Sequence, residues 1–369
     1  MSESVLSSEE NLERFRPGEV WTDTAGVPIN AHGGGILRHG ATYYWFGEHK
    51  IAGPWGNEAH VGVRVYASED LVRWRNQGIA LAVSADPASE IASGCILERP
   101  KVIHNRHTGL FVMWFHLEPP GAGYTGARSG VAVANAPCGP YRYLGSLRPN
   151  AGIWPLNADA MLRQMLSAEE ADSLAARRFS GGPEADFPAD LIQRRDHEGG
   201  QMARDMTLFV DEDDIAYQIY SSEENGTLHI SQLTKDYLHH EGRYIRVFPG
   251  GFNEAPALMK WSGRYFLFTS GCTGWRPNAL RLAVADSIWG PWTDMGNPCV
   301  GTPQESATTF QSQPTFILPV NEKSGRFIFM ADRWAPKNPI DGRYVWLPVD
   351  LSDSRPTVRW HKEWTISAS

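Results

Sequence analysis

The chain has 369 residues, a formal net charge of -8, and 42% hydrophobic against 21% charged residues. That balance describes a folded globular protein. Its acidity, with no basic run to offset it, argues against nucleic acid or an anionic membrane as partner. No stretch approaches the ~18 unbroken apolar residues of a membrane-spanning helix. The N-terminal run MSESVLSSEENLERF lacks the apolar segment of a secretory signal, so a cytoplasmic location is expected. Cys95, Cys138, Cys272 and Cys299 lie far apart, without a CxxC pair or metal-ligand spacing, and read as reduced, buried thiols. Most of the 14 Trp, 12 Tyr and 15 Phe are expected to fill a β core, with a few left to line a sugar cleft.

One pattern recurs along the chain: a polar residue, an apolar strand, a Gly or Asp turn, and an aromatic strand. It begins as AHGGGILRHGATYYWFGEH at residue 31, ERPKVIHNRHTGLFVMWFH at 98 and RDMTLFVDEDDIAYQIYSS at 204. It returns as NEAPALMKWSGRYFLFTSG at 253 and SQPTFILPVNEKSGRFIFMADRW at 312. Weaker third and fourth strands follow, as in VRVYASEDLVRW at 63–74 and LRLAVADSIWGPWTDMG at 280–296. Radially repeated units of roughly 40–60 residues predict an all-β, five-bladed β-propeller. It is expected to form a single domain over residues 1–369. The Val20-Trp21 region and the run from Val358 to Trp364 are candidates to close the ring.

The longest gap between hairpins holds an insertion at about 151–200, between blades two and three. Met161, Leu162, Met165, Leu166 and Leu174 fall at helical spacing, and Ser167 with Glu169-Glu170 marks a helix start. A short helical hairpin is predicted there, as decoration or contact surface rather than lid. The tract from Gly181 to Gly200 reads as loop. Asp211–Asp214 (DEDD) is the turn of the third hairpin and not a calcium loop.

The first strand of each propeller blade lines the central channel, so residues opening those strands converge on one face. In order they are His32-Gly33, Glu98, Asp205, Glu254 and Gln313. Carboxylates paired across a cleft suit glycoside hydrolysis, in which one must stay protonated to serve the leaving oxygen. Glu254 is the better acid, because Asp205 supplies a like charge and Pro256 stiffens the strand entry. Trp275, after the Gly274 turn, is a candidate platform for a pyranose face, and Trp334 could serve likewise. His32 is a candidate for contacting water, ligand or a channel ion. No metal site and no required cofactor are expected, with a structural channel ion left open.

The openings, together with the Arg-Asp-Met-Thr-Leu-Phe run at 204–209, Asn-Glu-Ala-Pro at 253–256 and Cys-Thr-Gly-Trp-Arg-Pro-Asn at 272–278, resemble glycoside hydrolase family 43. The resemblance implies a five-bladed propeller, an inverting mechanism, Glu254 as general acid and Asp205 as the group that orients it and sets its pKa. The family's usual Asp base on blade one is replaced by Ala31-His32-Gly33-Gly34-Gly35. That departure resembles the branch containing exo-β-1,3-galactanases and directs the handling of water to Gln313 or Glu98. It further implies sugar contacts from Glu48, Tyr124, Asn225 and Thr273. The expected activity is removal of terminal galactose from β-linked, β-1,3 above all, galacto-oligosaccharides. A β-galactofuranosidase or α-L-arabinofuranosidase of the same fold, or a catalytically silent carbohydrate-binding propeller, stays open as the alternative. Length and charge leave the oligomeric state open.

Overall fold

The computed structural model describes residues 14–366 except 55 and 57–59, so the reading of the N-terminal run as lacking a signal lies largely outside the described residues. Each predicted hairpin opens an antiparallel sheet whose strands pair in chain order. Blade one is His32–His39, Thr42–Lys50, His60–Ser68 and Arg75–Ala82; blade two is Ile96–His104, Phe111–Glu118, Arg128–Ala134 and Arg142–Leu147. Blade three is Met206–Val210, Ala216–Ser222, Thr227–Leu233 and His240–Val247; blade four is Asn253–Trp261, Arg264–Gly271, Arg281–Ala285 and Thr293–Gly296. Gln313–Asn321, Arg326–Arg333, Arg343–Asp350 and Thr357–Arg359 form blade five, to whose edge Cys299–Val300 adds a parallel strand.

The apolar core is divided among the seams between blades. One buried cluster joins Phe46, Val65, Leu97 and Met113 of blades one and two, and another joins Trp114, Val131, Leu208 and Tyr220 of blades two and three. Ile219, Ile230, Leu258 and Leu267 fill the next seam, and Phe268, Leu282, Ile317 and Phe329 the one after it. The fifth seam closes the ring between blades five and one through Trp45, Trp74, Tyr344 and Trp346. Phe15 and Trp364 stack on that cluster with ring centroids 4.4 Å apart. Each such ring buried stabilises the closed ring by roughly 2–3 kcal/mol. Phe15 bridges Trp364 here, while Val20 bridges Arg343 of blade five rather than the run from Val358 to Trp364. Val358, in contrast, pairs with Val349 within blade five.

The insertion departs from its predicted outline in two places. Ala168–Ala176 is helical, with Ser167 accepting from the Glu170 N–H and Glu170 returning a bond to the Ser167 N–H, a complete capping box. Residues 160–163 form a turn instead, with Leu162 buried but Met161 and Met165 exposed. Within the tract read as loop, Ala189–Arg195 forms a second helix, burying Ala189, Ile192 and Gln193 against blade three. Its neighbouring glycines masked that segment. A third short helix, Pro303–Ala307, is capped by Thr302 and Glu305. Among the described residues no helix is long and apolar enough to cross a membrane. All four cysteines are free thiols; Cys95, Cys272 and Cys299 are buried and Cys138 is half-buried.

Candidate active site

At the mouths of four innermost strands the ladder is interrupted by a bulge. Pairing shifts between His32 and Gly35, Glu98 and Lys101, Glu254 and Ala257, and Pro314 and Phe316. Arg99 and Ala255 sit there at φ 56° and 51°, and each precedes a proline, Pro100 and Pro256. A left-handed non-glycine residue costs about 1–2 kcal/mol. Proline has no N–H to lose from an interrupted ladder, so these prolines fit a position where the ladder is already broken. The bulge turns the residue before it, Glu98 or Glu254, toward the channel. On blade one the same place is too crowded for any side chain. A Cβ at Gly33 would lie 2.2 Å from Glu48 Oε1, at Gly34 2.1 Å from the Phe46 carbonyl oxygen, and at Gly35 2.5 Å from Lys101 Cδ.

Arg99 organises the residues that converge. Its Nη2 lies 2.9 Å from Asp205 Oδ2 and donates to Gln313 Oε1 at 2.5 Å, and Nη1 donates to the Pro314 carbonyl at 3.0 Å. Its backbone N–H donates to Glu48 Oε1 at 2.9 Å, and its guanidinium lies 5.3 Å from the centre of the Trp334 ring. With its oxygen on Arg99, the Gln313 amide donates from Nε2 to Ser270 Oγ at 2.9 Å and to Glu254 Oε2 at 3.4 Å. Asn225 Nδ2 donates to the other Glu254 oxygen at 3.1 Å, and Asp205 Oδ2 accepts from the Ala255 N–H at 3.1 Å. Glu254 therefore sits among amides while Asp205 takes the guanidinium. Burial, reinforced by the Asp205 charge and opposed by Arg99, pushes Glu254 up to about 8. It is protonated at neutral pH.

Glu98 is driven the other way. Burial would raise its pKa, but His116 Nδ1, 2.9 Å from Glu98 Oε2, outweighs burial with help from Lys50 and Arg99, and the carboxyl falls to about 2. Burial in turn opposes a charge on His116, but Glu118 and Glu98 hold the ring as imidazolium, at about 10. His116 Nε2 reaches Glu118 Oε1 at 2.9 Å, and Glu118 Oε2 accepts from the Ala127 N–H. Two carboxyls in one cleft thus differ in charge at pH 7, the division of labour that acid–base hydrolysis needs. Ligand atoms of Glu98, His116 and Asp205 lie within 4.8 Å of one another. Both nitrogens of His116 face carboxylates, Nδ1 that of Glu98 and Nε2 that of Glu118.

The cleft has a volume of about 640 Å³, and its wall includes Glu98, Arg99, Asp205, Glu254 and Gln313. Of the other residues singled out from the sequence, Tyr124, Asn225, Thr273 and Trp275 also line it. Tyr124 donates to Glu98 Oε1 at 3.4 Å; Thr273 is held by the Arg276 carbonyl and by Asn278. Trp275 is 45% exposed, beside Trp334 with ring centroids 6.0 Å apart, while Trp45, Trp74, Trp114 and Trp346 are core. Glu48 and His32 lie behind the wall. Glu48 is fully buried, bridging Lys50 Nζ at 3.0 Å and the Arg99 backbone. His32 is stacked under Trp334 at 4.7 Å with Asp332 at 3.5 Å, so it supports the wall and does not face the cleft.

Arg99, His116 and Glu118 were not singled out from the sequence as site residues. Arg99 had a signal, its place between Glu98 and Pro100 at a strand mouth. His116 and Glu118 sit in the second strand of blade two, where alternation alone cannot tell a buried ion pair from a polar edge. The insertion was expected to be decoration or a contact surface rather than a lid, yet Phe179, Ser180, Gly181 and Gly182 form part of the cleft wall.

Comparison with known proteins agrees with this geometry. The family model described as Glycosyl hydrolases family 43 matches residues 186–346. A β-1,3-galactosidase of that family, solved with galactodeoxynojirimycin, is 49% identical with a TM-score of 0.87, covering 95% of this chain and all of its own (100%). An exo-β-1,3-galactanase from Phanerochaete chrysosporium, solved with β-1,3-galactotriose, is 32% identical with a TM-score of 0.74, over 96% of this chain and 68% of its own. One from Clostridium thermocellum is 34% identical with a TM-score of 0.75, over 95% and 66%. Among curated proteins, a β-D-galactofuranosidase from Aspergillus niger is 25% identical over 178 residues, 42% of this chain. The chain spans about half the length of that relative, 51% of it. With near-complete coverage by a relative of almost half-identical sequence, and with Glu254, Asp205 and Gln313 meeting at one channel mouth, the chain belongs to glycoside hydrolase family 43.

Proposed function

We propose that the protein is an inverting exo-glycosidase that removes terminal galactose from β-1,3-linked galacto-oligosaccharides. The observation that carries the reading is the pairing of a protonated Glu254 with Gln313 in a cleft whose blade-one opening has no room for a carboxylate. Relatives described as β-1,3-galactosidase and exo-β-1,3-galactanase support the sugar and the linkage.

In this mechanism Glu254 gives its proton to the glycosidic oxygen as the C1–O bond breaks, and water attacks C1 from the opposite face. Gln313 places that water. Its amide oxygen already accepts from Arg99, which leaves it a weak base. Glu98, ionised throughout the working range, takes the proton that the water sheds as it becomes cationic on attack. Asp205, held on Arg99, keeps Glu254 protonated between turnovers, and Trp275 and Tyr124 flank the sugar. The proposed steps draw on side chains alone, with an oligosaccharide as the partner.

The test is Glu254→Gln. Release of galactose from β-1,3-galactobiose should fall by about 10³-fold or more, with galactose binding retained. Proton NMR of the first wild-type product should give α-galactose from a β-linkage. Undiminished turnover by the variant, or β-galactose as first product, refutes the mechanism. The galactofuranosidase relative motivates one second reading, hydrolysis of β-galactofuranosides, which the same product analysis separates by ring form.

A further inference from the structure

The insertion is tied to the propeller at the edge of the cleft. Its two helices are clamped by Arg194, whose Nη1 and Nη2 each lie 2.9 Å from a Glu170 oxygen. Arg195 and Arg204 both pair with Glu224 at 3.1 Å, joining the second helix to blade three. Phe187 packs on Phe252 at 4.6 Å, two residues before Glu254, and Phe179 packs on Phe187 at 5.9 Å. A Cβ at Gly226 would lie 2.0 Å from the Phe187 ring, so glycine is what lets the insertion seat this closely.

The seating fixes which side of the cleft the insertion covers. A Cβ at Gly182 would stand 3.3 Å from the Cys272 carbonyl oxygen, and one at Gly181 3.9 Å from Asn225 Nδ2. Asn225 donates to Glu254 from its side chain, and its backbone carbonyl accepts from the Cys272 thiol at 3.9 Å. Residues 179–182 therefore lie beside the acid, where the leaving oxygen is protonated. Behind Phe179 is a second cavity of about 470 Å³, within the ~300–1,000 Å³ range of small-ligand sites. Leu174, Arg177 and Arg178 bound it, together with Thr125, Phe179 and Glu224, which also line the cleft and so set the two spaces side by side. Arg177 lies over the Phe179 ring at 5.6 Å. Arg178 is exposed, and its guanidinium has no ion pair or hydrogen bond among the described residues.

We propose that this side cavity binds the second sugar on the leaving-group side of the substrate, with Arg178 donating to its hydroxyls and Phe179 dividing it from the first. The inference rests on the hydrolase reading above and extends it to substrate length. The insertion then makes the enzyme prefer chains of three or more sugars, although the scissile bond is the terminal one.

The experiment measures kcat/KM for β-1,3-linked galactobiose, galactotriose and galactotetraose with the wild type, Arg178→Ala and Ala171→Trp. Ala171 is an exposed helix residue on the cavity wall, so the indole fills the space without entering the core. Wild-type kcat/KM is expected to rise about tenfold from biose to triose and then to level off. Both variants should remove most of that rise while leaving galactobiose within about twofold. Equal wild-type rates on biose and triose, or variants that slow every length alike, overturn the proposal. A wild type that cleaves no galacto-oligosaccharide overturns the hydrolase reading itself, and galactobiose alone reveals it.

Discussion

Asp205→Asn should move the alkaline limb of activity to lower pH. Asp205 stands one backbone hydrogen bond from Glu254, accepting from the Ala255 N–H at 3.1 Å. Its charge adds to burial in holding Glu254 at about 8. A like charge at such range raises a carboxyl by on the order of one to two units, each about 1.4 kcal/mol. The asparagine oxygen can still accept from Ala255, so the geometry survives while the charge goes. Arg99, 2.9 Å from Asp205 Oδ2, then faces Glu254 with one carboxylate fewer, an effect of the same sign. The acid's pKa should fall to about 6–7. With a shift of one unit, the protonated fraction at pH 8 drops from about one half to about one tenth. The assay is galactose release from galactobiose, as kcat/KM from roughly pH 5 to 10, which reports the free enzyme. The position of the limb is read, not its height. An alkaline limb that stays in place or moves up refutes the assignment of Glu254 as the acid tuned by Asp205.

Two further outcomes follow from buried ion pairs. His116→Gln removes the imidazolium facing Glu98, leaving Lys50 and Arg99 against burial and Glu48. The acidic limb of kcat/KM should rise by about one unit or more, whereas a variant that lost only melting temperature would mark His116 as merely structural. Arg246→Met strands Glu223, which Arg246 meets through Nε at 2.7 Å and Nη2 at 2.8 Å in a fully buried site. Urea unfolding at pH 7 should show a loss of about 3–5 kcal/mol. Glu223 is depressed to about 2 from an ordinary 4.5. Its contribution is complete above about pH 4.5 and fades as pH falls toward 2, so the wild-type advantage should shrink over that window.

The five hairpins were legible because strand alternation and turn chemistry are local. Ser262-Gly263 turns a strand wherever the strand ends up, and a polar residue before an apolar run marks a strand mouth in any blade. The Glu98-Arg99-Pro100 and Glu254-Ala255-Pro256 triplets are local in the same sense, since a left-handed residue and a missing N–H make a bulge from within one strand. Ring closure decided the rest. Arg99 reaches Asp205 from another blade and Gln313 from a third, and no spacing along the chain records that contact. His32 and Glu48 were expected on the cleft, but the bulge after His32 and the crowded Gly33–Gly35 run put both behind its wall. The insertion read as decoration or contact surface because its helices carry no mark of what Phe187 and Arg195 pack against. Charge depended on closure most of all. Glu98 and Glu254 are the same residue type at equivalent strand mouths, yet one lies near 2 and the other near 8. A carboxyl's pKa is the sum of burial and of every charge around it, and only the folded ring brings those charges within range.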